Sequence, residues 1–164
     1  MQPAFDGIPG VVSTQVGYTG GHAANPTYEE VSSGTTGHAE SLEVRFDPKK
    51  ITYRQLLDVY WHNIDPTVLN RQFCDSGTQY RTAIFFHDPE QQREAEQSKA
   101  ELEKTKPFSG PILTEIVPAT TFYPAEGYHQ EFCKTHSVQY GYYKYNCGRE
   151  QRLHELWGTT ATSH

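Results

Sequence analysis

A chain of 164 residues is long enough for one domain with a real core, and a net charge of −6 with no basic run argues against nucleic acid as its main partner. No apolar stretch approaches the roughly 20 residues that a bilayer crossing needs, and the N-terminus lacks the basic start and apolar run of an export signal. Three cysteines, Cys74, Cys133 and Cys147, are an odd number, which excludes a complete disulfide framework and leads us to expect reduced thiols in a cytoplasm.

Aromatic residues make up 13% of the chain, and the 11 tyrosines suit a pocket with apolar walls and hydroxyl groups. Ala4, Phe5 and Ile8 are spaced like the last turns of an amphipathic helix, stopped by Pro9-Gly10. A helix that short is marginal alone, so the chain reads as starting in the middle of an element. Residues 11–18 read as a strand, 20–26 as a loop and 27–31 as a short segment before a Gly-rich turn at 34–37. The next strand, 40–46, alternates: Leu42, Val44 and Phe46 take one face, and Ser41, Glu43 and Arg45 the wetter one. Glu40 has the parity of the apolar set. A carboxyl group at the mouth of a strand, turned toward the core, loses hydration, so its pKa should rise and make it a candidate proton donor near neutral pH.

Thr52 and Gln55 form the pattern of a capping box, after which Tyr53, Leu56, Leu57, Tyr60 and Trp61 share one helical face fit to pack on a sheet. Asn63-Ile64-Asp65-Pro66 closes that helix, and a polar loop runs over 67–78. Residues 80–86 alternate as a strand. Asp88-Pro89-Glu90 opens a charged, largely solvated helix to about Lys104. Residues 112–117 read as a strand and 125–134 as a helix presenting Tyr128 and Phe132. Residues 140–147 form an irregular aromatic stretch, 149–157 a last helix stopped by Gly158, and 159–164 a disordered tail. Strands alternating with helices imply an α/β or α+β sandwich, a single domain over 1–158.

Asp75 lies in a polar loop that feeds a strand, and Tyr80 stands at that strand's mouth. If the two strands run side by side, Glu40 and Tyr80 share a rim that Tyr28 can reach from the intervening loop. One carboxylic acid and two phenols there would bind a polar oxygen while aromatic walls hold an apolar group. Taken singly, each tyrosine also suits a satisfied core position, and Asp75 a turn cap. His129 and Cys133, at i, i+4 on a helix, have a metal-chelating spacing, but no second pair accompanies them. Cys147 lies near Arg149, which favours a thiolate, whereas the carboxylate next to Cys74 opposes one.

Six stretches carry a family resemblance: Gly10-Val11-Val12-Ser13-Thr14-Gln15-Val16-Gly17-Tyr18-Thr19-Gly20-Gly21, Asn25-Pro26-Thr27-Tyr28, Gly34-Thr35-Thr36-Gly37-His38-Ala39-Glu40, His62-Asn63-Ile64-Asp65-Pro66, Asp75-Ser76-Gly77-Thr78-Gln79-Tyr80-Arg81 and Ala125-Glu126-Gly127-Tyr128-His129-Gln130. In this order they resemble the A-type methionine sulfoxide reductases, the peptide-methionine (S)-S-oxide reductases. The resemblance implies thiol-dependent reduction of methionine-S-sulfoxide, free or in proteins, as oxidative repair. It also implies a ferredoxin-like two-layer α/β sandwich with a mixed sheet, no bound cofactor, and thioredoxin or another dithiol as reductant. The expected whole is a cytoplasmic monomer. On this resemblance Glu40 protonates or hydrogen-bonds the sulfoxide oxygen, Tyr28 and Tyr80 donate to it, and Asp75 organises the site's water. His129 would contact substrate, and Cys147, with Cys74 as the alternative, would recycle the enzyme.

One departure bears on activity. The family's nucleophile lies in a Gly-Cys-Phe-Trp-Gly motif that belongs just before Gln2, and these 164 residues do not contain it. The expectation is a domain whose first strand is missing and whose reductase activity is small. A GTG codon read as initiator in place of a valine would account for Met1, and in-frame upstream codons for the motif would be its sign. The other reading is a non-catalytic relative that holds a sulfoxide or a protein partner.

Overall fold

A computed structural model describes residues 2–73, 75–125 and 149–158. In chain order it contains α1 (Gln2–Phe5), β1 (Val11–Thr19), α2 (Tyr28–Ser32), β2 (Ala39–Phe46), α3 (Tyr53–Trp61), β3 (Arg71–Gln72), β4 (Asp75–Ser76), a 3-10 turn over Thr78–Tyr80, β5 (Ala83–Phe86), α4 (Pro89–Thr105), β6 (Glu115–Pro118), β7 (Tyr123–Pro124) and α5 (Arg149–Trp157). Strand β1 pairs antiparallel with β2, setting Val16 opposite Leu42 and Tyr18 opposite Glu40, and on its other side with β7. Strands β5 and β6 form a separate parallel pair, and β3 and β4 a small hairpin. The expected single mixed sheet is therefore divided, among the described residues, into three.

A cavity of about 520 Å³ separates β2 from β5, with both strands in its walls and Leu56, Leu57 and Tyr60 of α3 lining it as well. An unpaired strand edge needs partners for its main-chain groups. At Ala83 the Tyr60 hydroxyl supplies both: it accepts from Ala83 N at 3.2 Å and donates to Ala83 O at 3.1 Å. A phenol thus stands where a neighbouring strand would pair, and burial raises its pKa.

The capping box of α3 forms as the sequence implies, with Thr52 Oγ1 accepting from Gln55 N and Gln55 Oε1 accepting from Thr52 N. Trp61, at the end of the helix's buried face, is 1% exposed. The short segment at 27–31, to which the sequence reading gives no type, carries helix α2, started by a second capping box between Thr27 and Glu30. Two expectations are corrected. The strand expected from Tyr80 begins only at Ala83, because Tyr80 N bonds to Gly77 O and Arg81 N to Thr78 O, which closes a turn instead. The strand expected over 112–117 begins at Glu115, since Ile112 N is held by the Glu103 carboxylate and Leu113 N by Pro66 O.

The larger core cluster joins α3, α4, β5 and α5 through Leu57, Trp61, Ile84, Ala95, Leu153, Leu156 and Trp157. A smaller one seats α1 on α3 through Ala4, Phe5, Ile51 and Leu56, with Leu42, Val44 and Phe46 packed against it. Helix α5 is fastened to the loop after α3 by polar groups. Arg149 Nη2 donates to Asn63 O at 2.7 Å, Trp157 Nε1 to Ile64 O at 3.2 Å, and Arg152 Nε to Asp65 Oδ2 at 2.9 Å. Asp65 is buried, which by itself would raise its pKa. Hydrogen bonds from Thr67 and Arg152 outweigh that and hold it below the usual carboxylate range. Replacing Asp65 by Ala leaves the Thr67 donors without their buried acceptor, so Asp65→Ala should cost about 1–3 kcal/mol. Urea unfolding measures it; an unchanged midpoint would show that this clamp contributes nothing.

The expected helix beyond Ala125, the aromatic stretch 140–147, the 159–164 tail, and Cys74, His129, Cys133 and Cys147 lie outside the described residues. No described helix is long and apolar enough to cross a membrane.

Candidate active site

The segment that delivers Glu40 is built by close backbone approach. Gly37, at φ 76°, makes the turn into β2, and His38 behind it is buried. His38 Nδ1 accepts from Gly21 N at 3.0 Å, while Nε2 donates to Ala23 O at 2.6 Å, which assigns the neutral ring with its proton on Nε2. A Cβ on Gly21 would fall 2.3 Å from His38 N, so only glycine lets the loop after β1 lie this close. The loop is thereby fixed against the start of β2, and α2, with Tyr28 as its first residue, follows from it.

Glu40 emerges on the wall of the cavity between β2 and β5. By area it is solvent-exposed, which corrects the expectation of a carboxyl turned into the core: the cavity it faces opens to solvent. The protein around it still removes enough water to push its pKa up to about 7, and the Asp75 charge pushes the same way. Tyr80 is pushed up to about 12, first by burial and then by the charges of Glu40, Asp75 and Tyr28. Glu40, Asp75 and Tyr80 line the same cavity, and Tyr28, outside its lining, lies within electrostatic reach of Tyr80.

Glu40, Asp75 and Tyr80 share the cavity, but not through the side-by-side strands that the sequence suggests. Strands β2 and β5 do not pair; they face each other across the cavity, and Tyr80 arrives on the 3-10 turn rather than at a strand's mouth. Phe5, Leu42, Phe46, Phe85 and Phe122 give the cavity an apolar wall. No group of three or more His, Cys, Asp or Glu able to hold a metal ion occurs among the described residues.

Sequence reasoning passed over the side chains that brace these groups. Gln79, 5% exposed, donates from Nε2 to Ser32 O at 3.0 Å and so ties the turn bearing Tyr80 to the helix bearing Tyr28. Arg81 bonds to Thr78, Gly37 and Glu115. Both flank Tyr80 in the stretch 75–81, and that adjacency is the one signal of them in the sequence.

The cavity of this α/β chain unites a carboxyl group poised near neutrality, a phenol and aromatic walls. Comparison with known proteins makes the class specific. The family model described as peptide methionine sulfoxide reductase matches residues 1–161, and the chain belongs to this family of oxidoreductases. A protein named peptide methionine sulfoxide reductase MsrA from Bacillus licheniformis is 49% identical over 158 residues, 96% of this chain and 87% of that one. One of the same name from Listeria innocua is 48% identical over 157 residues, 96% of this chain and 89% of its own.

Among solved structures, methionine sulfoxide reductase A of Corynebacterium diphtheriae superposes with a TM-score of 0.72 at 37% identity, over 82% of this chain and 68% of that one. Reduced Mxr1 from Saccharomyces cerevisiae gives 0.72 at 36% identity, over 77% of this chain and 72% of its own.

Proposed function

We propose that this chain holds the oxygen of methionine-S-sulfoxide, free or within peptides, between Glu40, Tyr80 and Tyr28, and supplies the proton side of its reduction to methionine. The net reaction consumes one sulfoxide and two thiols and yields one thioether, one disulfide and one water. As a thiolate attacks the sulfur and the S–O bond breaks, negative charge grows on the oxygen. A Glu40 carboxyl with a pKa of about 7 is half protonated at neutrality and can neutralise that charge. Asp75 keeps the carboxyl high and orders the water around it. The observation that carries this reading is that protonation state, on a cavity wall that Glu40 shares with Asp75 and Tyr80.

On this reading the attacking thiol would be supplied by a Gly-Cys-Phe-Trp-Gly segment added ahead of Gln2. Its strand would fill the slot between β2 and β5 and complete a ferredoxin-like sandwich with one mixed sheet over a single domain. Two strands that face one cavity, with Tyr60 standing in for a partner at Ala83, support that placement. The 164 residues by themselves hold the oxygen-binding half and turn over little. Cys147, two residues before α5, recycles the enzyme with thioredoxin or another dithiol, Cys74 being the alternative, and His129 contacts the substrate. A cytoplasmic, monomeric repair enzyme is the whole this implies.

The test is reduction of separated methionine sulfoxide epimers with dithiothreitol by the chain carrying that segment. Methionine should form from the S epimer. Equal use of both epimers, or of neither, overturns the reading.

A further inference from the structure

The acid and the phenol come from segments far apart in sequence, and one side chain spans them. Arg81 Nη2 donates to Gly37 O at 3.1 Å, in the turn that leads into Glu40. Its Nη1 donates to Thr78 O at 2.8 Å, the first residue of the 3-10 turn that ends at Tyr80. Its Nε donates to Glu115 Oε1 at 2.8 Å, at the start of β6. The side chain is only 17% exposed. The loop after β1 closes over it, since a Cβ on Gly20 would meet Phe85 at 2.8 Å and Arg81 Nη2 at 3.3 Å.

A guanidinium is planar and rigid, so bonds from three of its nitrogens fix orientation as well as distance. Two of the acceptors are main-chain carbonyls, which do not move without moving the turns that own them. Arg81 pairs with Glu115 rather than with the site's charges: Asp75 is the charge that shifts Glu40, and Glu40, Asp75 and Tyr28 are those that shift Tyr80. We propose that Arg81 is a positioning residue, setting the Glu40 carboxyl against the Tyr80 hydroxyl by tying Gly37 to Thr78 with Glu115 as its counter-charge. The inference rests on the reading of Glu40 as the acid that meets the sulfoxide oxygen.

Its test uses the 164-residue chain and follows the Glu40 carboxyl by 13C NMR across pH, the signal being assigned with Glu40→Gln. Arg81→Lys keeps the charge but replaces the fork with a single ammonium, which cannot hold both carbonyls in one plane. The expected result is a variant that melts cooperatively within a few degrees of the parent while its Glu40 midpoint falls from about 7 toward 4.5, as the turns part, water reaches the carboxyl and Asp75 recedes. Glu115→Gln, which leaves both carbonyl bonds in place, should keep the midpoint nearer the parent's than Arg81→Lys does.

An Arg81→Lys midpoint equal to the parent's overturns the positioning role. So does loss of the fold in both Arg81→Lys and Arg81→Gln, which would make the residue structural only. A parent midpoint already near 4.5 discards the acid reading itself, and so separates failure of the foundation from failure of the inference.

Discussion

Adding the Gly-Cys-Phe-Trp-Gly segment ahead of Gln2 is expected to raise the rate of methionine sulfoxide reduction over that of the 164-residue chain by on the order of 10⁶, the scale seen when a nucleophile is removed from an otherwise organised site. The physical ground is that the described half of the site addresses oxygen and not sulfur. On the proposed reading Glu40, Tyr80 and Asp75 would hold or donate protons while the apolar wall held carbon; all three line the one cavity. A thiolate arriving from the far side of the cavity would meet the sulfur of a ligand whose oxygen is already held. The same addition should stabilise the fold. A strand in the slot can pair with β2 and β5 together, and Ala83 would exchange its bonds with the Tyr60 hydroxyl for bonds to a main chain. A higher denaturant midpoint with a larger m-value, from the extra surface buried, accompanies the gain in rate. Equal rates with and without the segment would mean that one of the three existing cysteines attacks the sulfoxide.

Much of this architecture can be read from the residues because local chemistry decides it. Thr52 and Gln55 start α3, Asp88 and Pro89 start α4, and alternation from Leu42 to Phe46 marks β2, all as the structure has them. Helix α2 was equally readable, since Thr27 and Glu30 stand three apart in the same pattern. Its five residues with Val31 as their one buried side chain carry too little apolar periodicity to prompt the reading.

Where the outcome depends on partners distant in sequence, local pattern gives no warning. Tyr80 to Phe86 alternates like a strand, but Gly77 and Arg81 pull its first residues into a turn. The separation of β2 from β5, and the Tyr60 phenol between α3 and Ala83, depend on residues more than twenty positions apart. The site shows the same split. Glu40, Asp75, Tyr80 and Tyr28 are singled out by their chemistry and their place at strand mouths or on the loops that lead to them. Gln79 and His38, and Arg81 at Gly37 and Thr78, act through carbonyls and amides that any residue could supply, so nothing in their type names those partners.

Glu40→Gln in the chain carrying the added segment should lower the rate of reduction by about 10²–10⁴, the usual contribution of a general acid. Glutamine keeps the size and one donor but has no proton to give up, so a hydrogen bond to the oxygen survives while proton transfer does not. The pH dependence separates these two. In the parent the protonated fraction of Glu40 disappears as pH rises through about 7, and the rate should fall with it. Glutamine has no such limb. Stability falls with rising pH as well, for a separate reason. Burial and Asp75 raise the folded pKa from 4.5 to about 7, so the folded chain retains a proton that the unfolded chain releases. That contribution is complete below 4.5 and is lost as pH rises through 7, since stability falls wherever the folded state binds more protons. Above neutrality Glu40→Gln is therefore expected to be no less stable than the parent while being far slower, a combination that separates chemistry from packing. A variant with the parent's rate and the parent's alkaline limb would remove Glu40 from the acid's role.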